Sequence, residues 1–187
     1  MSNSFIKRIN KEIQLYQKDN FKFDNLILQP SSDLNLWYFV IYNLKDTEFD
    51  GGVYLGKVIL PPKYPFKAPD FQFLSESGRF KTNVKICTSF TGFHNDLYSP
   101  SWNIASMCAG LVSFMTDDCT SRESQGIGQI NCSKVEKQKI AKESIDKIKS
   151  NQHIYPIFQE YFTNYFDDLK LDDPKLDDLK LDDLKLT

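Results

Sequence analysis

The chain has 187 residues and a net charge of −2, with 41% hydrophobic and 14% aromatic residues, enough for one core-bearing domain. No apolar run approaches the length of a membrane-spanning helix and no apolar leader opens the chain. The first 166 residues carry 19 basic against 17 acidic groups, too even a balance to suggest nucleic acid. Four cysteines without a pairing pattern suit a reducing compartment, so the expected setting is the cytoplasm and the expected target another protein.

Residues 4–18 place Phe5, Ile6, Ile9, Ile13 and Tyr16 at helical intervals, with Lys7, Arg8 and Lys11 expected to face water. Short apolar runs follow at Leu26–Leu28 and Leu36–Tyr42, then an alternating one at Val53–Leu60. The turn-forming residues between Thr47 and Gly52 help join them, which predicts an antiparallel meander. Four prolines between Pro61 and Pro69 end it, because proline supplies no ladder donor. Phe71, Phe73 and Leu74 are expected to form a fourth strand.

From Ser75 to Trp102 the chain is crowded with Gly, Ser, Thr, Asn, Lys and Pro, the composition of a long surface segment, and Cys87 lies at its centre. A cysteine in that setting is a candidate nucleophile, since a thiol has appreciable anion near neutral pH. Ile104, Met107, Cys108, Leu111, Val112 and Met115 then repeat at three and four residues. This predicts a core helix capped by Ser101, with Cys108 structural. Thr116 to Asn131 is a polar loop in which Asp117 and Asp118 could act on a neighbouring site. Two more helices are predicted at Lys134–Ser150 and His153–Phe166, the second with a packing stripe of Tyr155, Phe158, Tyr161, Phe162 and Tyr165. Residues 167–187 repeat Lys-Leu-Asp-Asp-Leu, a five-residue period that keeps the leucines off any one helical face. A solvated acidic tail is therefore expected outside a domain of residues 1–166.

The order of elements is that of an α+β domain. Its motifs are Tyr64-Pro65-Phe66-Lys67-Ala68-Pro69, Gly78-Arg79-Phe80, Ile86-Cys87, His94 and Tyr98-Ser99-Pro100-Ser101-Trp102, and in that order they resemble those of a ubiquitin-conjugating enzyme (E2). The segments around Gly78, from His94 to Trp102, and from Leu111 to Met115 resemble the branch tethered to the endoplasmic reticulum and used in protein quality control. The resemblance covers residues 4 to about 166. It implies that Cys87 takes ubiquitin as a thioester from an activating enzyme, which consumes the ATP, and passes it to a lysine or hydroxyl of a substrate protein with a RING-type ligase. Neither a cofactor nor a metal is implied for this chain.

The same resemblance implies a ligase-facing surface made by Phe66, Tyr98 and Pro100, with Lys7, Arg8 and Lys11 of the first helix facing the activating enzyme or the ligase. Where the family carries His-Pro-Asn, and the tethered branch Thr-Pro-Asn, this chain has Ser75-Glu76-Ser77. Ser77 and Asn83 become the candidates to support the site, and Asp117 and Asp118 the candidates to orient an acceptor. His94 is expected to pack the loop rather than to serve Cys87, with a general-base role left open. The tethered branch ends in a hydrophobic anchor and this sequence contains none, which leaves the cytoplasm or the cytosolic face of the endoplasmic reticulum. Two other readings stay open: an E2-like interaction module without catalysis and, more distantly, a thiol oxidoreductase, which the lack of a CxxC pair disfavours.

Overall fold

Alternating side chains on the central strands decide the layering. The computed structural model describes residues 3–18, 23–117 and 126–165. Helix α1 (Asn3–Gln17) precedes strands β1 (Leu26–Pro30), β2 (Leu36–Ile41), β3 (Tyr54–Ile59) and β4 (Asp70–Phe73), which form one antiparallel sheet in the order β1-β2-β3-β4. Leu26 stands opposite Ile41, Leu36 opposite Ile59 and Gly56 opposite Phe73, so the meander is the one the apolar runs predicted. Helices α2 (Ile104–Thr116), α3 (Lys134–Ser150) and α4 (Tyr155–Phe162) follow.

Both faces of the sheet are covered. Trp37, Phe39, Tyr54 and Val58 join Phe5 and Ile9 of α1 and Met107 and Leu111 of α2 in the main core. The residues between them in the strands, Tyr38, Val40 and Leu55, point the other way and meet Ile148, Phe158 and Phe162 of α3 and α4. Period-two alternation thus serves two cores, and the sheet is the middle of three layers.

The aromatic stripe of α4 packs as expected: Phe158 and Phe162 are fully buried and the Tyr161 ring lies 4.8 Å from that of Tyr38. The helix is shorter than its pattern suggested and continues as a 3-10 turn, Thr163–Tyr165. The cap of α2 is Asn103, not Ser101. Asn103 and Ser106 satisfy each other's backbone N–H groups in a reciprocal box, which places the helix start two residues later. Cys108 is fully buried and burial pushes its thiol up, so its assignment to the core holds. No helix among the described residues is long and apolar enough to cross a membrane. Asp118 and the acidic repeat lie outside the described residues.

Candidate active site

After β4 the chain doubles back along its own sheet edge. Asn83 N donates to Phe73 O at 2.7 Å and Ile86 N to Phe71 O at 3.0 Å, and this carries Cys87 just past the strand. Thr88 and Thr91 then close a tight turn, in which Thr91 Oγ1 accepts from Thr88 N at 3.0 Å and donates to Thr88 O at 2.9 Å. A 3-10 turn, Gly92–His94, completes the reversal and brings His94 Nε2 to 3.1 Å from Cys87 Sγ. The pairing that the sequence disfavoured is therefore present, because seven residues are folded into two successive turns.

Cys87 is half-buried and opens into a groove of ≈ 990 Å³ whose opposite wall includes Gly110, Ser113 and Phe114 of α2. A thiol in that position reaches solvent, and the imidazole can take its proton or stabilise the thiolate that remains. Cys108, by contrast, is held as the neutral thiol by burial first and by the charge of Glu12 second.

The other expected site residues divide. Ser77 does not face the groove: it is fully buried, and its Oγ accepts from Arg79 N at 3.3 Å and Phe80 N at 3.1 Å, supporting a turn. Asn83 is exposed at φ +59°, and its place is in the turn that returns the chain to β4. Asp117 caps the C-terminal end of α2 on the rim of the groove.

Phe66 is 76% exposed at the tip of the proline-bounded turn, and Pro100, Lys7 and Lys11 are exposed as well. Tyr98 is not an exposed anchor. It is buried with its ring edge-on to Trp102, and burial pushes its phenol up to about 12, so Trp102 is the aromatic this loop shows to solvent. Arg8 does not simply face water either. It pairs with Glu12, donates from Nη1 to Pro100 O at 2.9 Å and from Nη2 to Trp102 O, and lies over the Tyr64 ring. Glu12 had no expected role, yet it accepts from Arg8, Tyr64 and Ile104. Its signal was present in the sequence: Phe5, Ile9, Glu12 and Tyr16 share the apolar spacing, so a carboxylate falls on the core face.

A meander layered between helices, with a groove-lining thiol held beside an imidazole, defines an α+β domain built to present a cysteine. The family model for the ubiquitin-conjugating enzyme matches residues 8–145, and the chain belongs to that family. It is 35% identical over 161 residues to the probable ubiquitin-conjugating enzyme E2 33 of Arabidopsis thaliana, covering 86% of this chain and 63% of that protein. It is 40% identical over 118 residues to ubiquitin-conjugating enzyme E2 6 of Schizosaccharomyces pombe, with 63% and 51% covered. Identity to the ubiquitin-conjugating enzyme E2 J2-like protein of Dictyostelium discoideum is 33% over 154 residues, with 82% and 86% covered. The chain spans less than two thirds of the length of the plant and fission-yeast relatives.

Proposed function

We propose that this chain accepts ubiquitin as a thioester on Cys87 and transfers it to an acceptor on a substrate protein. The observation that carries the proposal is Cys87 Sγ opening into the groove with His94 Nε2 at 3.1 Å. In charging, Sγ gives its proton to His94 and attacks the carbonyl of the ubiquitin C-terminal glycine. The new C–S bond replaces the one to the activating enzyme, whose thiolate leaves. In discharge an amine or hydroxyl attacks the same carbonyl, the Cys87 thiolate leaves, and the proton the acceptor loses passes to that thiolate or to solvent. A thioester is already activated, so positioning and proton removal account for most of what the protein must add.

The partners that go with this reading are the activating enzyme, a RING-type ligase meeting Phe66, Pro100 and α1, and the substrate protein. The branch is that of endoplasmic-reticulum quality control, with action in the cytoplasm or on the cytosolic face of that membrane. Support for it comes from the Gly78-Arg79-Phe80 and Tyr98–Trp102 motifs.

Incubation with ubiquitin, activating enzyme and ATP, followed by electrophoresis with and without thiol, tests the reading. The parent should give a thiol-sensitive adduct, and Cys87→Ser a thiol-stable, hydroxide-sensitive ester or none. A thiol-sensitive adduct on Cys87→Ser would remove Cys87 from the chemistry, and a parent that never charges would favour an E2-like interaction module.

A further inference from the structure

Beside Cys87 runs a strap, Gly126-Ile127-Gly128-Gln129-Ile130, whose first residue lines the groove together with Cys87 and His94. Cys87 N donates to Ile127 O at 2.9 Å, Lys81 N to Gly128 O at 2.8 Å and Ile130 N to Arg79 O at 3.0 Å. Gly128 allows this closeness: at φ +82°, a Cβ there would stand 2.5 Å from Lys85 O, while one on Gly126 would stand 3.3 Å from Cys87 O.

The strap is held from behind by Arg79. Its guanidinium is only 1% exposed and lies 5.3 Å from the ring centroid of Phe80 and 5.0 Å from that of Phe114. Nη1 donates to Gln129 Oε1 at 2.9 Å, and Nη2 lies 3.5 Å from Phe114 O near the end of α2. Burying a cation carries a large desolvation cost, and its hydrogen bonds and ring contacts offset that cost only in a fixed geometry. The fixed geometry here is the closed strap.

We propose that Arg79 and Gln129 form a clasp that positions Cys87 by closing residues 126–130 against it, so that Sγ faces the groove. Both are positioning residues, since each acts through the strap: Arg79 holds Gln129, and Ile127 O accepts from Cys87 N. Only the transfer arm of the test rests on the proposed function; the thiol arm stands without ubiquitin. Loss of a hydrogen bond to a charged group should raise the open population of the strap about ten-fold. An open strap frees Cys87 N–H from Ile127 O, exposes the half-buried thiol further and loosens its aim.

The full-length chain is compared with Gln129→Ala, with Gln129→Glu, which keeps an acceptor for Arg79, and with Ile148→Val in the second core. Alkylation of Cys87 by N-ethylmaleimide is followed by peptide mass spectrometry, and discharge of the charged protein to free lysine is followed in single turnovers. Gln129→Ala should be alkylated up to about ten-fold faster, and its maximal discharge rate should fall while half-saturation by lysine stays unchanged. Gln129→Glu should restore both rates, and Ile148→Val should leave both at the parental values despite a lower Tm. Parental alkylation or parental discharge in Gln129→Ala, failure of Gln129→Glu to restore them, or equal changes in Ile148→Val would overturn the clasp. Should the parent fail to charge, the proposed function falls, and the alkylation rates still decide for or against the clasp.

Discussion

Three donors from three different parts of the chain converge on Glu12, which is 5% exposed: Arg8 Nε, the Tyr64 hydroxyl and Ile104 N, the last at 2.7 Å. Burial acts to lower the Arg8 pKa, the bond and charge of Glu12 act to raise it, and the net shift is upward. Glu12→Ala leaves a buried phenol and a buried peptide N–H without an acceptor and a half-buried guanidinium without its partner. Breaking a fully buried pair costs about 3–5 kcal/mol, and because Arg8 keeps some access to water a loss of about 3 kcal/mol is expected. At about 2–4 °C per kcal/mol for a chain of this size, Tm should fall by about 6–12 °C. Glu12→Gln retains one oxygen for these donors but turns an amide NH₂ toward the others, so about half that loss is expected. Circular-dichroism melts of parent, Glu12→Gln and Glu12→Ala at pH 7 measure the series. A Glu12→Ala midpoint within about 2 °C of the parent, or a lower midpoint for Gln than for Ala, would refute the carboxylate as the hub of this network.

Phe66→Ala should leave Tm nearly unchanged, since the ring is 76% exposed, while ligase-stimulated discharge falls about ten-fold and charging falls less. A RING-domain titration that moved neither Phe66 nor Pro100 in the NMR spectrum would contradict that surface. Ser77→Ala should cost about 1–2 kcal/mol of stability, because Oγ serves two buried N–H groups, and should leave the discharge rate of the folded, charged protein unchanged. A large fall in discharge at parental stability would return Ser77 to the site. Stability should fall on the alkaline side. Burial raises Cys108 from its ordinary 9.0, and raises Tyr16 and Tyr98 from 10.0 to about 12 each. Groups whose folded pKa lies above the unfolded one contribute fully below the unfolded value and lose that contribution as pH rises toward the folded value. Melts from pH 7 to 11 should therefore hold level and then decline above about 9, and a rising Tm there would contradict the assignment.

The element order was legible because it depends on local periodicity. The apolar run of β2, the alternation on β3 and the three-and-four spacing of α2 are each set within a few residues of chain. That Cys87 sits in an irregular segment open to the surface was legible from its polar surroundings. What its side chain meets was not, because the Thr88–Thr91 hydrogen bonds shorten the path to His94 in a way residue counting does not reveal. Ser77 was misplaced for a tertiary reason: α3 closes over the turn, so that a Cβ on Gly78 would stand 3.0 Å from Lys137 Cγ. Tyr98 and Arg8 failed differently. An aromatic in a turn and a cation on an amphipathic helix each fit surface or interior equally well, and long-range partners decide between them.

Those partners share a physical logic, and it centres on α2. The helix has no acidic residue in its first turn and no basic residue in its last, so beyond the neutral Asn103 cap its own sequence sets no charge against the partial charges at its ends. Other segments supply them. Glu12 of α1 accepts from Ile104 N at the start of α2, and Arg79 places its guanidinium 3.5 Å from Phe114 O in the last turn. Each buried charge thus meets the opposite pole of the same helix, and its desolvation is offset by end groups that α2 would otherwise leave short of partners. The two clamps also divide the surface. Glu12 gathers Arg8, Tyr64 and, through Arg8, Pro100 and Trp102 at one end of α2, while Arg79 gathers Gln129 and the strap at the thiol end. Neither charge belongs to the helix it serves, which is why no inspection of α2 alone could find them.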